Sequence, residues 1–533
     1  MHDLMNTIIR GTRPRRQREN QPSRNVKFDV LSTLRSVLQL VLFLLCLFLL
    51  ITYGGVASET VALSAICIFV LLPLALFTAG IPAHMRVVVA GAGFLLFILA
   101  GWTWLQAIPI DEFPFDQSHL RPSADPIWET VQTYLRPAHP AISLTPGDAG
   151  LGGLAVALPF GVFLSALILF QLEKHAHIAL RWIALLGGGI SLFSIIQFMA
   201  QPEVVLFVTK SAYRDSLTGV FVNRNTAATF FGLLFLLQCA LAWQRVAELG
   251  LLRSFTALLN GAPFRHERVG LWGLAYSLCA LTTLCALMLT KSRAGISASF
   301  LALICLIVLL LLFPPRSLVS RESGRSRLLL RIGLSLTVLF ASAIAFVSMA
   351  GRVLFRGAAQ DFDGRFCVAS GIAAAIRAHL PWGAGLTSFR EVFPAYRDVS
   401  CGIYLVWDRA HNLYAEGLFS LGIIFIPALL LGVGSFAAIY FYGLRTRRRQ
   451  RHVGSLGLAL LLLVTVHSFF DFSLQIPGVA SFFAVLSALV TSICLLPAKQ
   501  ISKHATDCAG RGDEGDDARV PQREISGNRE AKQ

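Results

Sequence analysis

Residues suited to binding an anion or to moving a proton are concentrated at the ends of long apolar segments. They are Asn223, Arg224, Asn225, Arg293, His411, Asn412, His467 and Asp471. An arginine presents a planar, bidentate set of donors that matches phosphate oxygens. A histidine can accept a proton near neutral pH. The pattern predicts one site in which an anionic group is held next to a general base.

Two arginines are the main candidates for anion binding. Arg293 lies in a short turn between two apolar segments, where the alternative is a side chain that extends to the lipid interface. Arg365 lies at the expected start of a helix, where a positive charge gains nothing from the helix dipole; the alternative is a solvated loop arginine. Two such groups suit a diphosphate. Arg352 and Arg356, spaced i, i+4, are weaker candidates for the same site.

His411 is the candidate general base, although a polar residue that merely begins a helix is the plainer interpretation. His467 and Asp471 are spaced i, i+4, which predicts that they share one face of a helix. They either take part in catalysis or hydrogen-bond each other as a structural pair, because burying them without a purpose is costly.

No cofactor and no metal are predicted. Asp361-Phe362-Asp363 has the spacing of an Asp-x-Asp metal motif, but this spacing is frequent by chance. Cys367 and Cys401 would be the two cysteines of the outer loops, and a disulfide between them is left open because connectivity does not follow from sequence.

The composition shows which elements must position these residues. Of 533 residues 55% are hydrophobic and 14% are charged, and the mean hydropathy is +0.65. This excludes a soluble enzyme, a disordered chain and a small disulfide-rich secreted domain, and it indicates a polytopic membrane protein. The net charge of +16 does not indicate nucleic-acid binding, because the basic residues lie in short clusters between apolar segments, as topology signals do.

The apolar segments predict an all-α fold with about twelve transmembrane helices. The segments are approximately 37–54, 61–80, 87–107, 151–172, 180–200, 225–243, 271–290, 294–313, 329–350, 417–443, 454–475 and 478–497. Strand-like alternation is absent from them. The distribution of Lys and Arg places both termini in the cytoplasm. It therefore places the site at the outer ends of the helices.

The chain is thus expected to have three parts. Residues 1–36 form a basic cytoplasmic arm, residues 37–497 form the transmembrane domain, and residues 498–533 form a disordered cytoplasmic tail. Outer loops are expected at about 108–150, 201–224 and 351–416, with a short helix near 366–379 in the last.

Several motifs in the second half of the chain resemble the O-antigen ligase and O-antigen polymerase family. They lie at 219–228, 290–295, 364–365, 381–389, 410–414, 467–472 and 475–477. They follow the family order over about 219–480, and each is short. The sequence departs from the family pattern at Ala369, where a tryptophan is common, and at Ser420 and Leu421, where an acidic residue is often found.

This resemblance implies a GT-C-like membrane glycosyltransferase of the bacterial inner membrane, with a large periplasmic loop that contains short helices. The implied reaction is inverting and needs no metal or nucleotide sugar. The donor would be a glycan on undecaprenyl diphosphate, and the acceptor would be lipid A-core or another lipid-linked glycan. His411, Arg293, Arg365 and Asp471 would be the catalytic residues. Asn223, Arg224, Asn225, Asn412, His467, Arg352 and Arg356 would contact the substrates.

Two other classes remain open. A polysaccharide transporter or lipid flippase would share the helices and the lipid substrate, but it predicts ionisable residues at mid-membrane, and the centres of these segments are almost free of charge. A non-catalytic scaffold that binds other polysaccharide-assembly proteins would tolerate loss of the site residues. The sequence does not distinguish a ligase from a polymerase or a protein glycosyltransferase.

Overall fold

Long apolar helices make up most of the structure. A computed structural model of the chain describes residues 24–112, 125–134, 139–249, 267–314, 358–398 and 406–496. The helices and strands of these residues are α1 (Arg24–Ile51), α2 (Ser58–Ala79), α3 (Arg86–Ala107), α4 (Ile127–Tyr134), α5 (Ala149–Leu169), α6 (Glu173–Ala200), β1 (Val204–Val205), β2 (Val208–Thr209), α7 (Arg224–Leu249), α8 (Glu267–Leu289), α9 (Arg293–Leu312), α10 (Ala358–His379), α11 (Phe389–Val392), α12 (Leu413–Leu421), α13 (Phe425–Thr446), α14 (Arg451–His467) and α15 (Pro477–Leu495).

The predicted class, an all-α polytopic membrane protein, is confirmed. Ten helical segments of the described residues are long and apolar enough to cross a membrane. The predicted segment 329–350 and the tail 498–533 lie outside the described residues. Helix α1 begins at Arg24, inside the range predicted as the basic arm, and its apolar part begins at Val30.

The predicted helix at 454–475 is shorter than expected. Helix α14 ends at His467, because the next carbonyl, that of Ser468, accepts a hydrogen bond from the backbone N–H of Leu413 at 2.9 Å. The chain then turns, and α15 begins at Pro477. Asp471 therefore lies in the connection and not on a helix. The prediction that it shares a helix face with His467 is wrong.

Helices α7 and α15 lie at the centre of the bundle. Buried residues account for 83% of the apolar stretch of α7 and 89% of that of α15, against 6% for the stretch that includes α13. Aromatic side chains join the two, and the rings of Phe230 and Phe482 have centroids 4.8 Å apart. A site at the start of α7 is therefore held by the most enclosed part of the protein.

A second apolar cluster lies outside the main core and supports the segment before α12. Val368 of α10, Phe389 of α11 and Phe419 of α12 pack there with Ala410. Helix α10 begins at Ala358, so the expected helix near 366–379 is present but longer. Arg365 is thus inside the helix, and the argument that placed it at a helix start is wrong. The alanines at its beginning favour helix, and Gly364 is accommodated within it.

A break separates α12 from α13 within one apolar stretch. Gly422 has φ +62°, and a Cβ at this position would lie 2.1 Å from the carbonyl oxygen of Pro381. The turn 381–385 docks on the break through backbone bonds, with Ala384 N–H donating to the Phe419 carbonyl at 2.8 Å. The amide of Gln106 donates to the carbonyls of Trp382 at 2.7 Å and Ser420 at 2.9 Å, which fixes the turn against α3.

Candidate active site

His411 lies immediately before α12 in an unusual backbone conformation. Its φ is +51°, and its side chain is 28% exposed. The ring centroids of Trp407 and Phe472 lie 5.2 Å and 4.9 Å from its own. The next residue, Asn412, caps α12, because its Oδ1 accepts from the backbone N–H groups of Tyr414 at 2.9 Å and Ala415 at 3.0 Å. The imidazole is therefore enclosed on its sides and still reachable from solvent.

Asp471 is a fully buried carboxylate that faces this imidazole. Its Oδ1 lies 3.9 Å from His411 Nδ1. The same oxygen accepts from Asn225 Nδ2 at 3.1 Å, and its other oxygen accepts from the hydroxyl of Ser473. These bonds hold the carboxylate at 0% exposure next to the imidazole of His411.

Asn225 joins this pair to the start of α9. Its Oδ1 accepts from the hydroxyl of Ser292 at 2.7 Å. Ser292 is the N-cap of α9, and its Oγ accepts from Gly295 N–H at 3.3 Å. Asn223 Oδ1 accepts from the backbone N–H of Asn225 at 2.7 Å, which shapes the start of α7. The beginnings of α7 and α9 thus meet the His411–Asp471 pair.

Two arginines occupy the first positions of these helices. Arg224 begins α7 and Arg293 begins α9, and both side chains are half-buried. The guanidinium carbon of Arg224 lies 5.1 Å from the ring centroid of Tyr213, a cation–π contact that limits its reach. Helix N-termini favour negative groups, so a positive residue at the start of α9 is poorly placed unless an anion is bound nearby.

His467 is enclosed by protein groups. It is 1% exposed, and its Nδ1 lies 2.6 Å from Thr229 Oγ1. A Cβ added at Gly295 would lie 3.4 Å from His467 Nε2, so α9 packs closely on this ring. His467 and Asp471 therefore contact different levels of α7, namely Thr229 and Asn225.

Of the other predicted arginines, only Arg365 lies within the described residues. Arg365 lies on α10, and Val368 of that helix packs in the cluster with Ala410; the side chain of Arg365 is not described. Arg352 and Arg356 lie outside the described residues, as does Cys401.

A salt bridge and a buried lysine hold the loop 201–223, which leads into α7. Lys291 Nζ lies 3.2 Å from Asp215 Oδ2, which links the turn before α9 to this loop. Hydrogen bonds from the Ser216 hydroxyl and from Lys291 lower the pKa of Asp215. Lys210 donates to the Ser216 carbonyl at 2.9 Å. Burial lowers the pKa of Lys210, and the charge of Asp215 partly opposes this. Both lysines are therefore engaged in holding the loop.

Sequence reasoning overlooked three residues of this region. Ser292 and Thr229 bond Asn225 and His467, and Glu416 accepts hydrogen bonds from the segment before His411. Glu416 had a detectable signal, because it is an acidic residue inside an apolar segment. Among the described residues, no group of three or more His, Cys, Asp or Glu side chains is arranged to hold a metal ion.

Residues 278–431 match a family model described as O-antigen ligase. The matched segment contains Arg293, Arg365 and His411, whereas Asn225 and Asp471 lie on either side of it. Over this segment the chain is similar to the O-antigen ligase family, and ten helical segments of the described residues are long and apolar enough to cross a membrane. No curated protein sequence matches the chain.

Proposed function

We propose that the protein is an inverting glycosyltransferase that acts at the periplasmic face of the inner membrane. It transfers a glycan from undecaprenyl diphosphate to a sugar hydroxyl, either as an O-antigen ligase or as a polysaccharide polymerase. One observation carries this proposal: the buried carboxylate of Asp471 faces the accessible imidazole of His411 at 3.9 Å, beside the first residues of two helices. A general base and an anion-binding surface are thus adjacent.

His411 acts on the acceptor. Because its Nδ1 faces Asp471, its Nε2 takes the proton from the acceptor hydroxyl. The hydroxyl oxygen forms the new bond to the anomeric carbon, and the bond from that carbon to the diphosphate oxygen breaks. Asp471 stabilises the imidazolium that results. No metal and no redox partner enter this balance.

The arginines act on the leaving group. Arg293 and Arg365 bind the diphosphate and stabilise the charge that grows on it, and Arg224 contributes from the start of α7. Inversion requires attack from the side opposite the leaving group, so His411 and these arginines lie on opposite sides of the bound sugar.

The remaining residues have supporting roles in the proposal. Asn225 and Asn412 act through hydrogen bonds to protein groups, namely Asp471, Ser292 and the first turn of α12. Asn223 shapes the start of α7, and His467 packs between α7 and α9. Arg352 and Arg356 stay weaker candidates for the diphosphate. The proposal puts both termini in the cytoplasm. The basic residues at the junction of α13 and α14 support this orientation, namely Arg445, Arg447, Arg448, Arg449 and Arg451.

The test uses the purified full-length protein in liposomes with a polyprenyl-diphosphate-linked glycan and candidate acceptors. His411→Ala should abolish formation of the glycosidic bond while the protein inserts normally, and in cells the lipid-linked donor should accumulate. Arg293→Lys keeps the charge but loses the bidentate donors, so it should lower the rate markedly. Full activity of His411→Ala would contradict the proposal. Movement of lipid across the vesicle without bond formation would indicate a flippase.

A deletion strain distinguishes the two enzymatic alternatives. Surface glycan reduced to one repeat on its normal carrier would indicate a polymerase. Full-length glycan stranded on the polyprenyl lipid would indicate a ligase.

A further inference from the structure

Glu416 is a buried acidic side chain in an otherwise apolar helix. It lies in α12 and is 4% exposed. Removing a carboxylate from water is unfavourable unless charged or hydrogen-bonding partners compensate. The partners of this carboxylate therefore show what its burial achieves.

Both carboxylate oxygens bond to the residues that precede His411. Oε2 accepts from the backbone N–H of Ala410 at 2.8 Å, and Oε1 accepts from Arg409 Nη1 at 3.1 Å. The side chain thus bridges from the first turns of α12 back to the loop. It fixes the chain immediately on the N-terminal side of His411.

His411 needs such support because its backbone is strained. The left-handed region is strained for a non-glycine residue, and His411 has φ +51°. On its C-terminal side, Asn412 fixes the chain by capping α12. Glu416 provides the corresponding restraint on the N-terminal side, so the conformation of His411 is held from both directions.

A third contact connects Glu416 to the segment that carries Asp471. The side chain of Gln475 is close enough to interact electrostatically with the Glu416 carboxylate. Gln475 ends the short helical turn Ser473–Gln475, and Ser473 of that turn bonds Asp471. Glu416 therefore links the loop of the imidazole to the segment of the carboxylate that faces it.

We propose that Glu416 is a positioning residue that sets the distance and orientation of the His411 imidazole relative to Asp471. It does so without touching the substrate. This inference rests on the proposed function, in which His411 is the general base. It adds that His411 is held in place by Glu416, an acid of α12 that is paired with Arg409.

The first test is Glu416→Gln, which keeps the shape of the side chain but removes the charge that pairs with Arg409. A displacement of about 1 Å in a reacting group lowers rates by as much as about a hundredfold. We expect kcat to fall by about tenfold to a hundredfold, with the KM for the lipid-linked donor within about twofold of the wild-type value. The pH dependence of kcat should also shift, because the His411–Asp471 geometry changes. Glu391→Gln is the matched control, since Glu391 is an exposed acid of α11 that pairs with Arg390.

A second measurement does not require turnover. Diethyl pyrocarbonate modifies accessible imidazoles, and peptide mass spectrometry gives the rate at His411 separately from that at the buried His467. Glu416→Gln should raise the rate at His411 at least threefold over wild type. If Glu416→Gln does not fold, Gln475→Ala tests the same link and should change the rate and kcat in the same direction by smaller factors.

The outcomes separate the two proposals. Wild-type protein that forms no glycosidic bond with any donor contradicts the proposed function, and the modification rate still decides whether Glu416 positions His411. The positioning role is overturned if a folded Glu416→Gln protein has the wild-type rate of His411 modification, the wild-type kcat and the wild-type pH profile. A lower yield of folded protein with wild-type kcat per molecule also overturns it, because that result indicates stability alone.

Discussion

Replacing Asp471 with asparagine removes one negative charge from the site and leaves its shape almost unchanged. The new Oδ1 can still accept from Asn225 Nδ2, and the new amide can donate to the hydroxyl of Ser473. In the proposed mechanism, the main loss is the attraction between the carboxylate and the imidazolium that forms when His411 takes a proton.

The geometry gives the size of this loss. Two unit charges about 4 Å apart attract by about 4 kcal/mol at an effective dielectric constant of about 20, and the separation here is 3.9 Å. The imidazole is 28% exposed, so water replaces part of this attraction. Loss of half of this attraction would lower the rate about thirtyfold, and loss of all of it would lower the rate about a thousandfold. Asp471→Asn should therefore lower kcat within this range.

The measurement is initial-rate kinetics of glycan transfer in proteoliposomes, with protein amounts matched by quantitative blotting. Asp408→Asn is the control, because Asp408 lies in the same loop as His411, pairs with Arg390 at the surface and is 67% exposed. It should leave kcat within about twofold of wild type, as is usual for exposed ion pairs. An Asp471→Asn protein whose kcat stays within threefold of wild type would refute the view that a buried charge supports His411.

Two further predictions concern the elements around the site. Gly422→Ala places a Cβ 2.1 Å from the Pro381 carbonyl oxygen, at a residue whose φ is +62°. We therefore expect a lower thermal midpoint and reduced glycan transfer. Gly434→Ala is the control and should be neutral, because a Cβ there has nothing within 4 Å. Asp215→Asn should lower the thermal midpoint slightly at pH 7. The pKa of Asp215 is lowered in the folded protein, so its contribution exists above the unfolded pKa and is lost as the pH falls through the folded pKa. The difference from wild type should therefore shrink as the pH falls below the ordinary Asp value and vanish below the folded pKa of Asp215, and a difference that does not shrink with falling pH would contradict the assigned cause.

Hydropathy predicted the helices well, because every crossing segment must be apolar over a length set by the bilayer. It did not predict the end of α14 at His467. The residues after it include Phe469, Phe470 and Phe472, and apolar content alone continues the helix through them. The helix ends where the backbone N–H of Leu413, the first residue of α12, donates to the Ser468 carbonyl. Such a partner lies far away in sequence and leaves no local signal.

The same limit applies to the site. His411, Asn412 and Arg293 were predicted at helix ends from residue type and position, and the structure places them there. The bond between Asn225 and Asp471 joins residues 246 positions apart, so no spacing rule predicts it. Glu416 was overlooked although a single acid in an apolar segment is conspicuous. Its partners, Ala410 and Arg409, come within hydrogen-bond distance because the backbone adopts a left-handed conformation at His411, which the sequence does not reveal.

The break at Gly422 has a mechanical consequence. Helix α13 belongs to an apolar stretch of which only 6% is buried within the protein, so most of its surface faces outward. Because the helix is interrupted at Gly422 and the turn 381–385 is hydrogen-bonded to the residues around it, we expect a tilt of α13 to be accommodated there without a matching tilt of α12. Bilayers of different thickness should therefore change the tilt of α13, whereas the distance between the His411 imidazole and the Asp471 carboxylate should stay the same.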